Sequence, residues 1–184
     1  FDVALEAFND TLLDSGEQLT LTLSNAVLNG VAAQIGTASA TTTITDADPT
    51  FSITVDNTTI SEEGPTTTAT YTISTDAVPS GTDTASVVVT VSGDAGDADF
   101  TTAVLTAISD AAGTTGVGFS AIDATSATLT WAVGAAPSFD VALEAFNDTL
   151  LDSGEQLTLT LSNAVLNGVA AQIGTASATT TITD

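Results

Sequence analysis

The chain has 184 residues with 23 Asp and Glu and no Lys, Arg, His or Cys, so every formal charge has the same sign. Nucleic acid and anionic lipid are excluded as electrostatic partners, because no side chain can neutralise a phosphate, and disulfides and thiolate metal sites are excluded with the cysteines. The 43% hydrophobic content and mean hydropathy of +0.36 rule out a disordered acidic tail, and no run of 18 apolar residues is present to cross a membrane as a helix.

In chain order, the first feature is a repeat. Phe1–Asp46 return without a change as Phe139–Asp184, an offset of 138 residues. Exact copying of this length points to duplication within an array, whose function grows with length. On this reading residues 1–46 are the C-terminal part of a preceding identical repeat. Residues 47–50 are a short junction stiffened by Pro49, and 51–184 form one complete β-sandwich repeat. A start in mid-repeat with Phe makes the chain a window on a longer protein.

Alternation of Thr or Ser with aliphatic residues predicts half-buried strands. They fall at Phe51–Val55, Ala69–Ile73, Val87–Val91, Thr125–Val133, Phe139–Ala145, Leu157–Leu161 and Gly174–Thr183. Turn signals separate them, at Glu63-Gly64-Pro65, Pro79-Ser80-Gly81, Gly93–Gly96, Gly113–Gly118, Gly134–Pro137, Asp152-Ser153-Gly154 and Asn167-Gly168. No stretch shows a convincing 3.6-residue apolar stripe. Seven or eight short strands in one period describe an all-β, antiparallel immunoglobulin-like sandwich. Phe51, Tyr71, Trp131 and Phe139 are its expected core aromatics.

The acidic residues gather at loops. The clusters are Glu62-Glu63, then Asp94, Asp97 and Asp99, then Asp148, Asp152 and Glu155, with Asp10, Asp14 and Glu17 as their copies, and Asp46 and Asp48 at the domain exit, with Asp184 the copy of Asp46. Two carboxylates about 5 Å apart repel by roughly 3 kcal/mol at an effective dielectric of 20. With no base in the chain, loops that collect them need cations from solution. Oxygen donors without nitrogen or sulfur favour Ca²⁺ over zinc, copper or iron. Asp94–Asp99 lacks the glycine and distal glutamate of an EF-hand loop, and the glycine-rich nonapeptide repeat of calcium β-rolls is absent. Ligands would have to come from separate loops.

The ordered set of motifs resembles the Calx-β domain. The resemblance runs through Ile60-Ser-Glu62-Glu63-Gly64, then Ala95-Gly96-Asp97-Ala98-Asp99-Phe100, then Phe139–Leu143 leading into Asn147, Asp148, Asp152 and Glu155. It continues with Leu157–Ser162 and Ile173-Gly174 and ends at Thr181-Ile182-Thr183-Asp184, which the first copy extends as Thr43–Asp48. It covers most of the period. It implies calcium at one tip of the sandwich, held by Glu62 or Glu63, Asp99, Asp148, Asp152, Glu155 and the exit aspartates, where it would also lock the joint to the next domain. Thr101–Thr125 is longer than the family's connection there, so an additional hairpin or bulge is expected.

The functional expectation is a structural extender in a giant secreted surface protein, similar to bacterial repeats-in-toxin-type adhesins, with neighbouring repeats as partners. One alternative is the subunit of an extracellular filament or surface layer, joined to identical chains by strand complementation. Another is a carbohydrate- or protein-binding module, although nothing marks its patch. An enzyme is disfavoured, since no nucleophile has a base other than a carboxylate and sugar-stacking aromatics are scarce.

Overall fold

The computed structural model describes residues 2–7, 17–44, 49–149 and 154–184. Two compact units are present, Phe1–Ala47 and Asp48–Asp184. In the first, β1 (Gln18–Thr22) pairs antiparallel with β4 (Ser39–Thr43), and β2 (Val27–Leu28) pairs with β3 (Val31–Ala32).

The second unit contains β5 (Thr50–Val55), β6 (Thr59–Ser61), β7 (Thr68–Thr75), β8 (Thr84–Gly93), α1 (Val104–Thr114), β9 (Gly118–Ala121) and β10 (Ser126–Ala132). These are followed by β11 (Ser138–Glu144), β12 (Gln156–Leu166), β13 (Val169–Ala170), β14 (Gln172–Ile173) and β15 (Ser177–Thr183). One sheet has the order β6-β15-β12-β8-β10-β9, with β13 beside β12; the other has the order β11-β7-β5-β14. Pairing is antiparallel except where β14 meets β5 and β15 meets β6. The leading segment is thus divided between the sheets, each part running parallel to one part of the closing segment. That division, with β11-β7-β5 facing β15-β12-β8-β10, gives an immunoglobulin-like β-sandwich.

Alternation in sequence becomes alternation in burial. Along β7 every second residue, Ala69, Tyr71, Ile73 and Thr75, is buried, and along β12 the same holds for Leu157, Leu159 and Leu161. The four aromatics expected in the core are there. Trp131 lies 5.2 Å from the ring of Phe51 and 6.1 Å from that of Phe139, both tilted, a geometry that adds roughly 0.5–1.5 kcal/mol per pair beyond the area buried. Its indole N–H donates to the Ala136 carbonyl at 3.1 Å. The Tyr71 hydroxyl donates to the Leu157 carbonyl at 3.2 Å, and burial pushes the phenol well above its ordinary pKa.

Two glycine-containing positions fix the chain path. Gly93 ends β8 at φ +122°, where a Cβ would overlap the Gln156 carbonyl oxygen. Asn167 and Gly168 both have positive φ, 49° and 85°, as a tight I′ hairpin turn requires.

The segment after Thr101 departs from expectation. A hairpin does form there, β9 with β10, but a helix, α1, precedes it. Its buried residues Val104, Ile108 and Ala112 recur every fourth position, so a helical stripe does exist. It is only three residues long and interleaved with Ser, Thr and Ala, which is why it is inconspicuous beside the strand pattern. The β9–β10 loop is tied by Asp123, whose Oδ1 accepts from the Thr125 N–H at 2.9 Å and the Ser126 hydroxyl at 2.8 Å.

Phe51→Ala should cost about 3–5 kcal/mol, read by urea unfolding of the single tryptophan's fluorescence; a loss below about 1 kcal/mol would contradict the aromatic core. The Thr125 N–H above all, with the Ser126 hydroxyl, holds Asp123 below its ordinary pKa of 3.8. A depressed pKa stabilises the fold above 3.8 and loses that contribution as pH falls through the lower folded value. The melting temperature of Asp123→Asn should therefore lie below that of the parent at neutral pH and converge on it in acid. A gap independent of pH would refute the assignment.

Candidate metal centre

Backbone pairing brings most of the acidic loops of the second unit to one end of the sandwich. Gly93 is opposite Leu157, Gln156 is opposite Thr181, and Thr183 is beside Ser61. The Ala95 N–H donates to the Gln156 carbonyl at 3.1 Å and the Phe146 N–H to the Asp99 carbonyl at 2.9 Å, while Phe100 bridges to Ala145. Glu62-Glu63, Asp94–Asp99, Asn147-Asp148, Glu155 and Asp184 consequently all flank the same end.

Glu62 is the unusual member. It is only 7% exposed, and its N–H donates to the Thr183 carbonyl at 3.0 Å. The Asp148 N–H reaches its Oε2 at 3.5 Å, and the Asn147 amide reaches Oε1 of the exposed Glu63 at 3.4 Å. The loop after β11 is thereby laid across the end of β6. Glu155 is half-buried against the closing strand, its carbonyl accepting from the Ile182 N–H at 2.8 Å. A buried carboxylate is costly unless it is hydrogen-bonded, and in a chain without bases the backbone N–H of Asp148 is one group that answers Glu62.

Asp97 and Asp99 act within their own turn. Asp97 Oδ1 accepts from the Val104 N–H at 2.9 Å, at the start of α1, and Asp99 Oδ2 accepts from the Gly96 N–H at 2.6 Å. A carboxylate at a helix N-terminus is favoured by the orphan N–H groups and the dipole there. In the first unit, the backbone carbonyl of Glu17 accepts from the Ile44 N–H at 2.8 Å, the same bond that the Glu155 carbonyl makes. Asp10, Asp14, Asp46, Asp48 and Asp152 lie outside the described residues.

Among the described residues, no three acidic side chains stand close enough together to hold a metal ion. The donors themselves are hard carboxylate and amide oxygens, which suit Ca²⁺. Glu62, Asp148 and Glu155 come from three chain segments converging on that end. Their donor type suits calcium, but their carboxylates do not stand together as a metal group. Sequence reasoning missed the two aspartates that organise turns without joining the cluster, Asp123 and Asp56. Asp56 accepts from the Thr70 and Asn57 N–H groups at 2.7 and 2.6 Å, and the Thr70 bond chiefly lowers its pKa. The available signal was the Asp-x-Thr-Ser run at Asp123–Ser126, an Asx-turn pattern.

No protein-family model and no curated protein matches the chain. Among solved structures it is similar to the apo-form Calx CBD1 domain, at 13% identity over 72% of this chain and 98% of that one, TM-score 0.40. It is also similar to a cohesin module from a Clostridium perfringens family 33 glycoside hydrolase, at 11% identity over 74% and 97%, TM-score 0.40. A third similarity is to the collagen-binding domain of a Staphylococcus aureus adhesin, at 11% identity over 77% and 100%, TM-score 0.31. The fold described above rests on the sheet order of this chain itself.

Asp97→Ala should lower stability by about 1 kcal/mol, equally in calcium and in chelator, when followed by thermal melts. A loss confined to calcium-containing buffer would instead make Asp97 a ligand.

Proposed function

We propose that this chain is a spacer from a calcium-stabilised tandem array in a long extracellular surface protein of the bacterial adhesin type. Its role is to set a distal binding domain away from the cell. The observation that carries this reading is one sequence in two environments. Leu157, Leu159 and Leu161 are 0%, 0% and 2% exposed, whereas the identical Leu19, Leu21 and Leu23 are 38%, 52% and 65% exposed. The copied segment buries its leucines only where strands like those of residues 50–145 face it. Residues 1–46 are then the closing part of a sandwich whose opening part has the sequence pattern of 47–138. Each added period lengthens a rod by one sandwich and supplies another acidic end.

Calcium binding would draw on Glu62, Asp148 and Glu155, with Asp152 and Asp184 as further donors, and would require these carboxylates to close in on the ion, because the described ones do not stand together as a metal group without it. When bound it supplies positive charge that the chain lacks. Glu62 serves here as the buried acceptor that orders the loop after β11. Glu63 secures the same loop through Asn147, and Asp97 and Asp99 hold the neighbouring turn.

The test is thermal melting in calcium, magnesium and chelator. Calcium at a hundredfold its Kd should stabilise by about 2.7 kcal/mol, a rise of roughly 5–10 °C for a domain of this size. Glu62→Gln should shrink the calcium-induced rise in melting temperature. Identical melts in calcium and chelator would defeat the calcium reading.

A further inference from the structure

The opening part of the second unit is flanked in sequence by two identical closing parts, residues 1–46 before it and 139–184 after it. Leu19, Leu21 and Leu23 repeat Leu157, Leu159 and Leu161 residue for residue. Side-chain chemistry therefore cannot decide which segment the opening strands accept. In the structure the following copy takes the place. Its β11 starts at Ser138, a short connection after β10 ends at Ala132, and its β12 lies along β8.

Strand direction bears on the preceding copy. β14 runs parallel to β5, and β15 runs parallel to β6 with Ile182 beside Ile60. The closing segment therefore ends far from where the opening segment begins. β7 and the residues just before it measure that distance. The Asp76 N–H donates to the Thr50 carbonyl at 3.2 Å, and the Ser61 N–H donates to the Thr66 carbonyl at 2.8 Å. Extended chain from Thr66 to Asp76 covers about 33 Å, which puts Ile60 roughly 30 Å from Thr50. For the preceding copy to close this sandwich, Ile44, the counterpart of Ile182, would have to lie beside Ile60. Thr50 follows Ile44 by six residues, a reach of at most about 22 Å at full extension. The preceding copy falls short unless its last strand leaves β6 unpaired. Ile60, now 1% exposed, would then lose its cover.

We infer that the short connection between Ile44 and Thr50 selects which of the two identical segments closes the sandwich. It bars the preceding copy and leaves the place to the following one. The inference rests on the reading of residues 1–46 and 139–184 as equivalent closing parts. An array of exact copies needs such a selector. Every opening part in it has two chemically identical candidates, and pairing with the wrong neighbour is the characteristic failure of repeat proteins. Length decides where sequence cannot, because a tether too short to span two sites gives an effective concentration near zero. Covalent reach breaks the tie, not a side-chain contact, and calcium has no part in it.

The test uses full chains in which Leu157→Ser, Leu159→Ser and Leu161→Ser disable the following copy. Thr90 is opposite Thr160, whose counterpart in the preceding copy is Thr22, and directly opposed strand residues suit a disulfide. Thr22→Cys with Thr90→Cys therefore reports closure by the preceding copy in this cysteine-free chain. One version keeps the native connection. The other carries a Gly-Ser insert of about twenty residues after Ala47, for a mean span of about 25–30 Å. Non-reducing electrophoresis and intact mass then measure disulfides formed within single chains. Most chains with the insert should carry one, and the native connection should give at least about tenfold fewer. The same cysteine pair with all leucines kept is a second readout that needs no disabled core. There the insert should again raise the yield, by competition with the following copy. Equal yields with and without the insert would overturn the selector. No internal disulfide with the insert in either background, while Thr90→Cys with Thr160→Cys cross-links the otherwise unaltered chain, would instead overturn the equivalence of the two copies.

Discussion

Leu157, Leu159 and Leu161 point from β12 into the space between the two sheets, among Phe51, Tyr71, Val89 and Val141 of the same core cluster. Burying a leucine is worth about 1.5–3 kcal/mol, so this one stripe supplies a large part of the stability of a marginally stable domain. The identical stripe in the first unit shows how little of that gain is local. Both copies adopt the same pairing, Leu21 opposite Ala40 and Leu159 opposite Ala178. They share the same left-handed asparagines, Asn25 and Asn163 at φ 54° and 51°, and the same threonine pair at 2.8 Å. Local geometry follows from the segment alone. Burial follows from what faces it.

Charge imposes the second constraint. With no base available, acids cannot be matched within the chain; the described acids of the second unit are absent from the large sheet and lie in loops and turns, on the edge strand β11 and, as Asp110, on α1. Where an acid must be near the body, the backbone answers it: N–H groups converge on Asp56, Asp97, Asp99 and Asp123. Glu62 is the most buried of the described acids, and the Asp148 N–H reaches its carboxylate as well, at 3.5 Å.

The strands and the core were legible in the sequence because β-branched and aliphatic residues alternate with Thr over long runs such as Thr68–Thr75 and Gln156–Leu161. A two-residue period is hard to mistake when one face is wholly apolar. The helix was not legible, because Val104, Ile108 and Ala112 form a stripe one residue wide. The grouping of acids at one end could be anticipated from their loop positions, but not their division of labour. Whether Asp97 caps a helix or faces the cluster depends on the turn it closes with Val104, seven residues on, and composition does not report that.

Hydrogen exchange with mass spectrometry tests the central claim most directly, because the two copies yield peptides of identical mass. The sequence Gln-Leu-Thr-Leu-Thr-Leu arises from both Gln18–Leu23 and Gln156–Leu161. A packed sandwich protects its amides by up to the global stability, whereas an isolated two-stranded pair opens readily. Such a peptide should therefore show two isotopic envelopes of equal area, one exchanging slowly and one fast. A single envelope, at either rate, would contradict the account, since it would mean that the two copies have the same environment.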